Sequence, residues 1–229
     1  MPAPLLVLDL DGTLLDTAPD LLGALNTLLD QEGLPAVDRS AVKNNFGQGA
    51  RALIVEGFRR ADRPLPVEAL EPLTDRFIAL YAGRIADETR PFPGAIAALD
   101  RLSARGIRFA VCTNKRKHLA LPLLDALGLA GRFDAVLGGD SLPVRKPHPD
   151  HLTGTIEAAG GVSSATVMVG DSDADVAAAH GAGVPVIGVT FGYTARPIAE
   201  FGPTATIDHF DAIDATLARI SPAFEAALS

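Results

Sequence analysis

Between residues 95 and 189 the chain alternates two kinds of segment, and no other feature restricts its fold so tightly. Short apolar runs over 107–113, 133–137, 166–169 and 184–189 read as strands. Helical patterns fill 95–105, 117–127, 149–159 and 174–182. Alternation of this kind builds a parallel sheet with helices on both faces. An earlier run, Leu5-Leu6-Val7-Leu8, has the same buried-strand character but no strand close to it in sequence, so it must join the later sheet. The stretch from about 16 to 90 is of another kind. Leu21, Leu22, Leu25, Leu28 and Leu29 share one helical face, and Leu70, Leu73, Phe77, Leu80 and Tyr81 form a second apolar stripe. Thr17 is expected to cap the first of these helices with Asp20 three residues on, and Ser40 to cap a short second one. Phe46-Gly47-Gln48-Gly49 interrupts the pattern, a third helix starts near Ala50, and a fourth is expected over 67–87. The stretch 204–229 reads as a short edge strand and one or two closing helices. The prediction is an α/β chain with a doubly wound, Rossmann-like parallel-sheet core (residues 1–15 and 92–229) and an inserted all-helical domain (residues 16–91).

Composition narrows the classes of function. The 229 residues, 48% hydrophobic and 21% charged, suit one large globular domain or a core carrying a smaller one. The single cysteine, Cys112, excludes an intramolecular disulfide framework and suits a reducing, cytoplasmic setting. It sits in the apolar run Phe109-Ala110-Val111-Cys112, which favours a buried thiol over a nucleophile. No apolar stretch reaches the ~18 residues of a membrane span, and the N-terminus lacks the pattern of a signal peptide. A net charge of −8 without a Lys/Arg-rich run argues against nucleic acid as a partner. A small anion stays possible, because a site needs only a few local cations.

Open α/β sheets bind ligands beyond the carboxyl ends of their strands. Asp9-Leu10-Asp11-Gly12-Thr13 leaves the first strand there, and Gly12 permits a sharp turn. Two carboxylates so spaced can act as nucleophile and acid/base, or together hold a divalent cation; alone, they read more readily as a solvated acidic turn. Three further exits are polar: Thr113-Asn114, Lys146 within Arg145-Lys146-Pro147-His148-Pro149, and Gly170-Asp171-Ser172-Asp173-Ala174-Asp175. Taken singly these could be a helix cap, a loop cation and capping acids. Their convergence on one sheet edge is what indicates a site. A calcium loop starting at Asp171 fails, with Val176 where glycine is needed and Ala182 in place of the closing glutamate. His118, His148, His151, His180 and His209 show no ligand spacing and read as surface or loop residues.

These motifs, in this order, resemble the haloacid-dehalogenase-like (HAD) hydrolase superfamily: Asp9 to Thr13, Thr113, Lys146 before Pro147, and Gly170-Asp171-Ser172 with Asp175. The helical insertion after the first motif is similar to that superfamily's cap. Asp9 to Thr17, Phe46 to Gly49, Thr113-Asn114-Lys115 and Lys146-Pro147 with Pro149 look most like phosphoglycolate phosphatases. The resemblance implies a Mg²⁺-dependent phosphomonoesterase acting on a small anionic phosphorylated metabolite through an aspartyl-phosphate, as a monomer or homodimer. The residues suit that chemistry. A carboxylate attacking a phosphate ester meets another anion, and unit charges about 4 Å apart repel by about 4 kcal/mol at an effective dielectric near 20. Mg²⁺ on Asp9, Asp171 and the Asp11 backbone carbonyl, with the ammonium of Lys146, would cancel this. Thr113, Asn114 and the amides after Asp11 would hold phosphoryl oxygens, and Asp11 would protonate the leaving group and then activate water. By resemblance Asp175 belongs to the metal site, through water or by orienting Lys146; Asp173 is expected to be solvated. Arg51 and then Lys115 are the candidates for a substrate carboxylate, with Arg116 a further cation. The competing activities are another HAD-type phosphatase, a β-phosphoglucomutase-like phosphomutase, a 2-haloacid dehalogenase and a non-catalytic module. The dehalogenase needs neither Mg²⁺ nor a second carboxylate, so Asp11 and Asp171 argue against it.

Overall fold

The computed structural model describes residues 2–229. Among these, β1 (Leu5–Leu8) leads into a short β2 (Leu15–Asp16) and then the cap helices α1 (Ala18–Gln31), α2 (Arg39–Val42), α3 (Ala50–Arg60) and α4 (Val67–Ala82). The chain returns through β3 (Arg90–Pro91) to α5 (Ala95–Ala104), β4 (Arg108–Cys112), α6 (Lys117–Ala126), β5 (Ala135–Leu137) and α7 (Pro149–Ala158). It ends with β6 (Thr166–Gly170), α8 (Asp173–Gly181), β7 (Val186–Val189), β8 (Ala205–Ile207), α9 (Ile213–Ile220) and α10 (Pro222–Leu228).

The main sheet has the order β5-β4-β1-β6-β7-β8, with every pair parallel. β1 therefore joins the later strands, as its isolation in sequence required. Side chains alternate across the sheet. Leu6, Leu8, Phe109, Val111, Val167 and Val169 face α5, α6, α9 and α10 in one core. Leu5, Val7, Ala110, Cys112 and Met168 face α7 and α8 in another. The strand order reverses at β1, which places the crevice for a ligand beyond its carboxyl end.

The insertion has its own apolar core of Leu25, Leu28, Leu29, Leu53, Phe58, Phe77 and Tyr81. It joins the main body through two antiparallel segments, where Leu15 pairs with Pro91 and Asp16 with Arg90. Four local expectations fail here. Thr17 makes no side-chain cap; its hydroxyl donates to Asp11 Oδ1 at 2.6 Å instead. Asp20 does not fold back on Thr17. Buried at the base of the cap, it accepts from Glu88 N, Thr89 N and Thr89 Oγ1, so it ties the outgoing linker to the returning one. Ser40 lies inside α2, with Asp38 at the cap position, and α4 ends at Ala82 rather than 87 because the chain must turn at Gly83 towards β3.

Candidate active site

The carboxyl ends of β1, β4 and β6 and the loop before α7 deliver Asp9, Thr113, Asp171 and Lys146 to one point, and all four are buried. Carboxylate oxygens of Asp9, Asp171 and Asp175 lie within 4.8 Å of one another. Lys146 sits among them, its Nζ donating to Asp175 Oδ1 and to Cys112 O at 2.6 Å each. Asp9 Oδ1 forms an ion pair with the same ammonium at 3.0 Å but has no hydrogen-bond partner among the described residues. Gly12, at φ +83°, makes the turn that brings Thr13 Oγ1 to Asp171 Oδ1 at 3.1 Å. A Cβ at Gly12 would stand 2.9 Å from the Tyr193 ring, so the position also needs the space.

Three carboxylates facing one ammonium leave an excess of negative charge away from water. Burial pushes the Asp9 carboxyl up to about 6, against the pull of Lys146. Burial, reinforced by Asp175 and Asp9, pushes Asp171 up to about 8. Burial opposes the Lys146 ammonium, but Asp175 and Asp9 outweigh it and hold its pKa above the usual range. An all-oxygen donor set short of positive charge, with Asp9 Oδ1 ion-paired to Lys146 but lacking a hydrogen bond, fits a hard divalent cation. Asp175 is also engaged as helix cap and orienter: Ser172 N and Oγ donate to its Oδ2 at 3.0 and 2.6 Å.

Asp11 stands apart from that cluster. Its carboxylate takes the Thr17 hydroxyl and the Lys115 ammonium, at 2.9 Å to Oδ1 and 3.2 Å to Oδ2. Lys115 is nearly buried and lies over the Tyr81 ring of the cap, 4.4 Å from its centroid. Asn114 gives its Nδ2 to Lys146 O at 2.9 Å, while its buried Oδ1 has no partner among the described residues. Arg51 lines the cap wall, its exposed guanidinium on Glu71. The cavity between cap and core has a volume of about 260 Å³, with Phe46, Gln48, Phe77 and Tyr81 above and Asp9, Asp11 and Thr113 below.

Asp173 is exposed and Cys112 is buried, as expected. His151 corrects the reading of the histidines as surface or loop residues. It is fully buried, accepts from Lys146 N at 3.3 Å and lies 3.0 Å from Gly138 O through Nε2, so it braces the loop that carries Lys146. Sequence reasoning also passed over Tyr193, whose N–H donates to Asp171 Oδ2 at 2.7 Å. The signal was available: Phe191-Gly192-Tyr193 follows β7, a further exit on the same sheet edge.

Over residues 6–189 the chain matches the family model described as haloacid dehalogenase-like hydrolase. A phosphoglycolate phosphatase of Agrobacterium fabrum is 47% identical over 215 residues, covering 94% of this chain and 92% of the relative. A phosphoglycolate phosphatase of Caulobacter vibrioides is 47% identical over 202 residues, covering 88% of this chain and 85% of the relative. A crystal structure described as a predicted phosphoglycolate phosphatase from Haemophilus somnus superposes with a TM-score of 0.84 at 33% identity, covering 92% of this chain and 96% of that one. No helix among the described residues is long and apolar enough to cross a membrane. With a family model spanning most of the chain, and relatives this similar along nearly all of it, the chain belongs to the haloacid dehalogenase-like hydrolases.

Proposed function

We propose that this protein is a Mg²⁺-dependent phosphomonoesterase whose leading substrate is 2-phosphoglycolate. The observation that carries the reading is the buried cluster of Asp9, Asp171 and Asp175 around Lys146, on the floor of a small capped cavity. The names of its relatives point to the same substrate. Residues 1–15 and 92–229 act as the catalytic core and residues 16–91 as the cap that selects the substrate.

Asp9 is the nucleophile. Its carboxylate attacks phosphorus, the bond to the leaving oxygen breaks, and an aspartyl-phosphate forms. Asp11 protonates the leaving oxygen, then takes a proton from the water that hydrolyses the aspartyl-phosphate, which releases phosphate and restores Asp9. Thr113, Asn114 and the backbone amides after Asp11 hold the phosphoryl oxygens. Lys146 offsets the charge between Asp9 and the phosphoryl group. Asp9, Asp171 and the Asp11 carbonyl, with Asp175 in support, would hold Mg²⁺, which would supply the remaining positive charge. The closed cap keeps bulk water from the reacting groups.

A phosphate-release screen over small phosphomonoesters in Mg²⁺ tests the reading. The highest kcat/KM is expected for 2-phosphoglycolate. A better sugar phosphate would make the protein another HAD-type phosphatase, and phosphoryl transfer within the substrate without free phosphate would make it a phosphomutase.

Two substitutions separate the roles. Asp11→Asn keeps the backbone carbonyl and removes the ionisable carboxyl. Metal affinity should change little while turnover falls by roughly 10²–10⁴-fold, the usual size of general acid–base catalysis. The loss should shrink for p-nitrophenyl phosphate, whose leaving group needs little protonation; equal losses would remove the leaving-group role. Arg51 can leave Glu71 at little cost, since exposed ion pairs contribute about 0–1 kcal/mol. Arg51→Ala should therefore weaken kcat/KM for 2-phosphoglycolate by about 2–4 kcal/mol, the size of a lost buried charge-assisted contact. It should spare p-nitrophenyl phosphate, which has no carboxylate. If Arg51→Ala has no effect on either substrate, Lys115 is left as the carboxylate receptor.

A further inference from the structure

Phe191-Gly192-Tyr193 lies after β7, outside every residue given a chemical role above, yet it touches three parts of the machine. The N–H of Tyr193 donates to Asp171 Oδ2 at 2.7 Å. Its hydroxyl donates to Asp16 Oδ1 at 2.6 Å, in the outgoing linker, and accepts at 2.9 Å from Ala18 N, at the start of α1. Its ring packs on Phe46 of the cap, with centroids 5.5 Å apart. Two residues earlier, Phe191 packs on Phe92 of the returning linker, with centroids 4.6 Å apart. Gly192 passes so close to Asp171 that any side chain there would collide with it.

The bond to Ala18 has a particular value. The first N–H groups of a helix lack intrahelical partners, and Thr17 does not cap α1. Tyr193 supplies the missing acceptor from a distant part of the chain. Asp16 in turn holds Arg39 of α2 at 2.8 Å, which extends the connection into the cap. A swing of the cap must move residues 16–18, and this tyrosine is buried with its hydroxyl fixed at both ends.

We propose that Tyr193 is a positioning residue that couples the cap linker to the metal carboxylate Asp171. The inference rests on the metal-dependent reading above and concerns how that site communicates with the cap. Asp171 accepts from Thr13 Oγ1 at one oxygen and from Tyr193 N at the other, so a cation held there would restrain this carboxylate further and, through Tyr193 N, the tyrosine side chain. The tyrosine hydroxyl then holds the linker in the arrangement described here. Such coupling is reciprocal: whatever draws the cap closed also tightens the metal.

The test is amide hydrogen exchange of the segment containing Ala18, with and without saturating Mg²⁺, beside calorimetric titration of Mg²⁺ into the same protein. In the wild type, Mg²⁺ is expected to slow exchange at Ala18 on the order of tenfold. In Tyr193→Phe the ring and the N–H to Asp171 remain, so Mg²⁺ should still bind, but the slowing at Ala18 should be lost. Asp16→Ala, which removes the acceptor at the other end of the hydroxyl, should reduce the slowing as well and stands in if the first variant folds poorly. Mg²⁺ binding without a change at Ala18 in the wild type would overturn the coupling alone, as would equal slowing in Tyr193→Phe. Failure of the wild type to bind Mg²⁺ would remove the metal reading and the coupling together.

Discussion

Asp9→Asn should end phosphate release and leave a folded protein. The amide has nearly the size of the carboxylate but lacks its nucleophilic oxygen, so no aspartyl-phosphate can form. The residue lies between two other carboxylates and Lys146, where its charge is already disfavoured by burial. Removing one anion from that group relieves repulsion, so the metal-free variant should unfold no earlier than the metal-free wild type. Thermal unfolding and single-turnover phosphate release check both statements. The wild type should in addition trap a beryllofluoride adduct at this position, and the variant should not. Near-normal turnover by Asp9→Asn would remove the nucleophile from the mechanism.

Chelation should be equally complete in its effect, and reversible. Activity should vanish in EDTA and return with Mg²⁺. Ca²⁺ should support little turnover, because its larger and looser coordination misplaces the nucleophile relative to phosphorus. Stability gives a second readout. Asp9 and Asp171 are raised to about 6 and about 8, from an ordinary value of 3.8. A raised carboxyl means that the folded state holds protons the unfolded state has lost, so metal-free stability falls as pH rises from about 4 to 8. Bound Mg²⁺ relieves that repulsion in the ionised form. At a concentration of about 100 Kd it should add about 2.7 kcal/mol, or about 5–10 °C in Tm for a chain of this size. The gain should be larger at pH 8 than at pH 5, where protons compete for the same oxygens. Full activity in a chelator would favour the dehalogenase reading, and a Tm gain that does not grow with pH would contradict the charge excess at the cluster.

Sequence alone determined the elements and the edge of the sheet where chemistry gathers. Apolar runs and helical stripes are local, so β1 and the alternation after residue 95 could be read without coordinates. The isolation of Leu5 to Leu8 then forced the insertion. Polar residues at strand exits marked Asp9, Thr113 and Asp171, because a parallel sheet places all such exits together. Tertiary structure decided what local pattern could not. Thr17 and Asp20 carry the signature of a helix cap, but each is engaged elsewhere: Thr17 donates to Asp11, whose carboxylate is held by the distant Lys115, and Asp20 accepts from Glu88 and Thr89 on the returning linker. His151 has no distinguishing neighbours in sequence and becomes a brace for Lys146 only when α7 packs beneath β4 and β5. Tyr193 reaches Ala18 across 175 residues. Burial and charge depend on what else folds into the same small volume. The excess of carboxylate at Asp9, Asp171 and Asp175, and the way one tyrosine ties it to the cap linker, therefore belong to the folded chain and to no segment of it.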